Sequence, residues 1–147
     1  NIEAAAEIAA DLTNKLQPQT RAYGMLIEGL IAHSNGRIVD AIEKLSAGLE
    51  LADFWLIRFY HGRIYLDAGY HAEAVDEFTQ SMDRRGEASA LFLDDMSPYR
   101  SVAPVYSWLG VAQQELFMSA AATTSFETFL QLRPNGGVLV DDARERL

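Results

Sequence analysis

Three stretches of the chain carry a glycine, an alanine and a bulky apolar residue at the same offsets. Gly29, Ala41 and Leu45 form the first set, Gly62, Ala74 and Phe78 the second, and Gly110, Ala122 and Phe126 the third. In each set twelve residues separate Gly from Ala, and four separate Ala from the bulky residue. A spacing of four keeps two side chains on one face of a helix. Glycine inside a helix costs about 1 kcal/mol relative to alanine, so its return at one register marks a place where two helices come close. A unit that cannot bury its apolar face alone must stack on its neighbours.

The third copy is the fullest: Tyr106-Ser-Trp-Leu109-Gly110, then Ala122-x3-Phe126, Phe129-Leu130 and Pro134. The second adds Tyr65 and Gly69 after Gly62, and the first adds Gly36 after Gly29. These motifs resemble the tetratricopeptide repeat, whose pattern runs W-x2-L-G-x2-Y, A-x3-F, P. The resemblance implies an all-α fold, a right-handed αα superhelix of about eight antiparallel helices. Several positions depart from the pattern. Gln113 stands where the third copy expects Tyr, and Phe117 where its turn expects Gly. The second copy has Arg58 and His61 in place of Trp and Leu, and the first has Glu28 before its Gly and Ala32 for Tyr.

The register organises the whole chain as one domain, 1–147. Residues 1–18 read as a lone second helix of a repeat, 22–53 as the first full repeat and 55–88 as the second. An insertion follows at 89–102, then the third repeat at 103–134 and a capping helix at 138–147. Gly62 to Gly110 is 48 residues, whereas Gly29 to Gly62 is 33, close to the family period; the surplus defines the insertion. Within it, Ser97-Pro98 reads as an N-cap followed by proline at the first helical position. The segment from Arg84 to Arg100 is similar to linkers in tetratricopeptide tails of bacterial multidomain signalling proteins, including kinases of the eukaryotic type. That likeness, with Asn at position 1, implies a piece of a larger signalling chain.

The net charge is −9, from 21 acidic and 12 basic residues. Phosphate-backbone binding relies on Lys and Arg, so nucleic acid is not an expected partner. Arg84-Arg85 and Arg144/Arg146 read as cations at helix C-termini. No apolar run approaches the ~18 residues of a membrane span, and direct membrane insertion is not expected. The cytoplasm is the favoured compartment, with the periplasm or another extracytoplasmic space as the alternative if the chain hangs from a transmembrane signalling protein. The absence of cysteine removes disulfides and argues against structural zinc. His33, His61 and His71 lack metal-ligand spacing, Asp94 and Asp95 are adjacent and diverge, and no nucleophile-elbow, phosphate-loop or zinc-protease motif occurs. The chain reads as a non-enzyme with no catalytic residue, metal site or cofactor.

In the repeat family, five first-helix positions line the concave surface. By register with the repeat glycine they are Tyr23, Leu26, Leu30, His33 and Ser34 in the first copy. The second copy gives Leu56, Phe59, Arg63, Leu66 and Asp67, and the third Pro104, Ser107, Val111, Gln114 and Glu115. Some family members grip a C-terminal carboxylate with Lys and Asn at the second and third of these positions. Here Leu26/Leu30 and Phe59/Arg63 stand there, so the resemblance implies no such clamp but a partly apolar groove with one cation. Phe59 and Leu26 are expected side by side as anchors, with Arg63 free to meet an acidic group. The expected function is a protein-interaction module holding a peptide or helix non-covalently. A structural role with self-association into a homo-oligomer is the alternative, and a small-molecule sensor is a third.

Overall fold

The computed structural model describes residues 2–86 and 99–147. Among the described residues there are eight helices and no strand: α1 (Ile2–Thr13), α2 (Pro18–Ser34), α3 (Ile38–Leu51), α4 (Trp55–Asp67), α5 (His71–Asp83), α6 (Tyr99–Glu115), α7 (Ser119–Leu132) and α8 (Val138–Glu145). Three hairpins, α2–α3, α4–α5 and α6–α7, stack in chain order through α3 on α4 and α5 on α6. The first helices α2, α4 and α6 also touch in succession, so they share one face. α1 packs on α2, and α8 closes the other end against α7 and α6. Residues 99–102, expected within the insertion, form the start of α6. Ser97-Pro98 and Asp94-Asp95 lie outside the described residues.

The repeated glycines have a specific partner. A Cβ on Gly29 would lie 2.0 Å from Leu45 Cδ1, on Gly62 2.8 Å from the Phe78 ring, and on Gly110 2.7 Å from Phe126 Cε1. Each glycine thus receives the bulky residue of its own repeat. Those three bulky residues and their alanines Ala41, Ala74 and Ala122 are buried. Three apolar clusters result. The first holds Leu26, Leu45, Ile57 and Ile64, the second Trp55, Phe59, Phe78, Val105 and Leu109, and the third Phe126, Phe129, Val140 and Ala143. Leu56 and Tyr60 pack on both the first and second, and Tyr106 joins the second to the third. The core is therefore continuous across repeat boundaries.

All three hairpin turns close the same way. The amide of Arg37 donates to the Ala32 carbonyl, that of Tyr70 to Tyr65 and that of Met118 to Gln113, each at 2.9 Å. The residue before each donor is left-handed, as this helix ending requires: Gly36 at φ +75°, Gly69 at +80° and Phe117 at +59°. For a residue with a Cβ that conformation costs roughly 1–2 kcal/mol. Phe117 bears the cost while 91% exposed, so packing within the chain does not offset it.

Candidate binding face

The face formed by α2, α4 and α6 carries the residues expected to line a groove, at two depths. Tyr23, Leu30 and His33 of α2, Leu56, Arg63 and Leu66 of α4, and Pro104 and Val111 of α6 are half-buried; Ser34, Asp67, Gln114 and Glu115 are exposed. Leu26, Phe59 and Ser107 are instead sealed, at 3%, 4% and 0% exposure. They share one register, and that register forms the floor beneath the face. Phe59 is held by aromatic neighbours: stacked on Trp55 at 5.1 Å between centroids, edge-on to Tyr60 at 4.9 Å and tilted on Trp108 at 5.3 Å. Leu26 and Phe59 belong to different clusters, bridged by Leu56 and Tyr60 rather than lying as one pair.

A polar thread runs across this face. His33 Nε2 lies 3.2 Å from an Asp67 carboxylate oxygen, and Arg63 reaches Asp67 at 3.1 Å. The Arg63 guanidinium also sits 4.4 Å over the Trp108 ring, a contact worth about 0.5–1 kcal/mol when exposed. Arg63 therefore ties α4 to α6, and its partner Asp67 meets His33 of α2, while the Arg63 side chain stays 31% exposed. Towards α8, Arg146 donates to the Gln114 amide oxygen and to Asp142, each at 2.8 Å. Near the start of α4, Tyr23 lies 4.5 Å from the Phe54 ring, and burial pushes its phenol above the usual range. Tyr60, Trp108 and Phe54 are the face residues that the family register did not supply. Tyr60 and Trp108 each stand two residues before a repeat glycine, and that shared aromatic position is the signal that marks them.

A second polar cluster lies between α3, α4 and α5. Arg58 donates from Nε and NH2 to the two Asp53 oxygens at 2.7 Å, and from NH1 to Glu77 Oε2 at 2.9 Å. The other Glu77 oxygen lies 3.0 Å from His61 Nδ1, and His61 Nε2 lies 3.4 Å from Ser46 Oγ. Arg84 bonds the Asp53 side chain and, at 2.6 Å, its carbonyl. The Arg58 hydrogen bonds, joined by those of Arg84, hold the Asp53 carboxyl below its ordinary range against the opposing effect of burial; Asp53 in turn raises Arg58. Burial, reinforced by the nearby Glu77 charge, raises the Tyr65 phenol. Arg58 and His61 are the two residues at which the second copy departs from its pattern, and Glu77 explains both, as a buried carboxylate (8% exposed) that satisfies the two together.

The order Ser46–His61–Glu77 is that of a nucleophile, base and orienting acid, but its surroundings make it a brace. His61 is 3% exposed, Tyr65 lies on its ring at 4.2 Å, and Arg58 neutralises Glu77. The three side chains tie three helices together. Arg84, expected as a cation at a helix C-terminus, stands at the C-cap of α5 and also fastens the α3–α4 connection to that end.

Hairpins in this order, each closed by a glycine against its own repeat's bulky residue, give the chain a tetratricopeptide-like αα-solenoid fold. The chain is similar to the N-terminal domain of stress-induced protein-1 (STI-1) from C. elegans, with 17% identity, a TM-score of 0.70, and 90% of this chain and 98% of that one covered. It is also similar to the first TPR of Spaghetti (RPAP3) bound to HSP90 peptide SRMEEVD, with 19% identity, a TM-score of 0.68, and coverage of 87% and 91%. At these identities the likeness is one of fold. No family model matches the sequence, and no curated protein does. No described helix is long and apolar enough to cross a membrane.

Proposed function

We propose that this solenoid is a non-catalytic module that binds a peptide or helix of another protein along the face of α2, α4 and α6. The observation that carries this reading is the half-buried row of Leu30, Leu56, Leu66 and Val111 with Arg63 at its centre. Apolar side chains left partly open beside one tethered cation suit an amphipathic segment with an acidic group. The Spaghetti domain holds its peptide on the same fold, which supports a peptide as the class of partner. The residues differ from a carboxylate grip, so the favoured ligand is an internal or helical segment rather than a free C-terminus. Leu26, Phe59 and Ser107 act from below, by shaping the floor. The likeness of Arg84 to Arg100 to signalling-protein linkers supports a place in a larger bacterial signalling chain.

The test is selection of displayed peptides on the immobilised chain, followed by calorimetric titration of the selected sequences. Arg63→Ala and Leu66→Ala are expected to weaken binding about tenfold or more, as loss of a central contact does. Glu73→Ala, on the exposed outer side of α5, is expected to leave it unchanged. Peptides whose affinity ignores both face substitutions would place binding elsewhere and overturn the reading.

A further inference from the structure

Two grooves on the second helices occupy equivalent places in the array, and their charge differs. The first lies between α1 and α3 over α2, holds about 380 Å³ and supplies its own cations: Lys44 pairs with Glu28 at 2.6 Å and Arg37 with Asp40 at 2.9 Å. Between α3 and α5, two adjoining hollows of about 360 and 230 Å³ share Tyr65 of α4 and Glu73 of α5. Counted from the repeat glycines, Arg37 corresponds to Tyr70, Lys44 to Glu77 and Asp40 to Glu73. Both cations are thus replaced, one by an aromatic ring and one by a carboxylate, while the acid at Asp40 is kept. Glu77 is held from within by Arg58 and His61. Glu73 and Glu43, the latter bordering both grooves, are exposed, and among the described residues neither has a cationic partner. The Tyr65 and Tyr70 rings meet edge to face at 6.0 Å, with Tyr70 51% exposed, and Val39 and Ile42 line the α3 side. Burial, then the Glu77 charge and further the Glu73 charge raise the Tyr65 phenol, so the floor lies in a negative potential.

We propose that the groove between α3 and α5 is a docking site for an arginine side chain on a basic segment of a partner protein. Charge and ring chemistry together select that occupant. An acidic peptide, a phosphate or an anionic lipid surface is repelled by Glu43 and Glu73. A neutral apolar segment would strip water from both carboxylates and give nothing back. A guanidinium gains from the open Tyr70 ring, and its planar fork of donors suits carboxylates on both banks. A lysine ammonium brings the charge without the plane. The chain already builds this arrangement once within itself, where Arg63 lies 4.4 Å over Trp108 and pairs with Asp67 at 3.1 Å. In the third repeat the positions of Tyr70, Glu73 and Glu77 hold Met118, Ala121 and Ser125, without charge, so the site belongs to the second repeat alone. It lies on the second helices, apart from the α2/α4/α6 face, and stands or falls independently of peptide binding there.

The experiment is an amide-resolved NMR titration of the full chain with a Gly/Ser peptide bearing arginines, beside counterparts carrying lysine or glutamate instead. The expected result is saturable shifts confined to 38–43 and 65–77, with a dissociation constant below about 1 mM for arginine, weaker binding of lysine and none of glutamate. Tyr70→Arg, which restores the cation of the first repeat, should abolish saturation. Glu73→Gln should weaken binding about threefold or more. Both side chains are exposed, and circular dichroism of both variants is expected to be that of the parent, which separates lost binding from lost fold. Glu7→Gln removes the same charge from the exposed side of α1 and should leave the affinity unchanged. Shifts that spread over the acidic surface without saturating, or an affinity that falls equally with Glu7→Gln, would show diffuse attraction and overturn the proposal. So would binding that survives both Tyr70→Arg and Glu73→Gln, or a lysine peptide that binds as tightly as the arginine one.

Discussion

Phe59→Ala separates a floor residue from an open anchor. Phe59 is 4% exposed, and its ring touches Trp55, Tyr60 and Trp108. Truncation removes the ring from the contact between α4 and α6 and leaves a void lined by large aromatics that cannot collapse easily. Phe→Ala in a core costs about 3–5 kcal/mol, combining lost transfer energy with the residual cavity. For a chain of this size each kcal/mol lowers the melting temperature by roughly 2–4 °C, so the expected fall is roughly 6–20 °C. Phe59→Leu retains much of the volume and should cost only about 1–1.5 kcal/mol. The assay is thermal and urea unfolding by far-UV circular dichroism, beside titration with a selected peptide. Binding by Phe59→Ala should weaken only to the extent that the protein unfolds. A melt within about 2 °C of the parent, with binding abolished, would refute the reasoning and make Phe59 an accessible anchor.

Gly62→Leu should destabilise by at least about 1–3 kcal/mol, because even its Cβ would meet the Phe78 ring at 2.8 Å; denaturant melts beside Glu73→Leu check it. Glu77→Ala should cost about 3 kcal/mol, since it leaves Arg58 with Asp53 alone and removes the Nδ1 partner of buried His61; the same melts measure it. The Asp53 carboxyl is depressed in the fold, so its stabilisation is complete above its unfolded value near ~3.9 and is lost as pH falls through the lower folded value. With the Asp53 side chain 45% exposed, that contribution is about 1 kcal/mol or less, and Asp53→Asn should flatten the acid limb of a stability–pH profile by that amount. Phe117→Gly should stabilise the chain by about 1 kcal/mol by relieving the left-handed backbone, read as a higher melting temperature.

Much of the fold is legible because its contacts repeat. A glycine and a bulky residue sixteen positions apart meet in every hairpin, so three weak signals reinforce one another. The face is legible only as a set of registers. Family spacing identifies which helices line it, but spacing does not report depth. Leu26 and Phe59 are covered because Leu56, Tyr60 and Trp108 pack beside them, and Tyr60 and Trp108 are not supplied by the family register. The Arg58–Glu77–His61 brace was hidden for another reason. Arg58 and His61 look like degraded motif positions until the distant Glu77 is brought between them. Arg63 was visible as a cation on the face, whereas its attachment to Asp67 and Trp108 depends on how neighbouring helices stack.

Both tryptophans of the chain belong to the seam between the second and third hairpins. Trp55 is buried there, and Trp108 lies against Phe59 and Phe78 under the Arg63 guanidinium. The first hairpin contains a tyrosine, Tyr23, but no indole. Intrinsic fluorescence excited in the indole band therefore watches that seam alone, while the helical dichroism signal averages over every hairpin. Repeat arrays can come apart in steps. Overlaid melting curves from the two probes would show the stack opening as one body, and a fluorescence change that lags the dichroism would show the first hairpin fraying ahead of the seam.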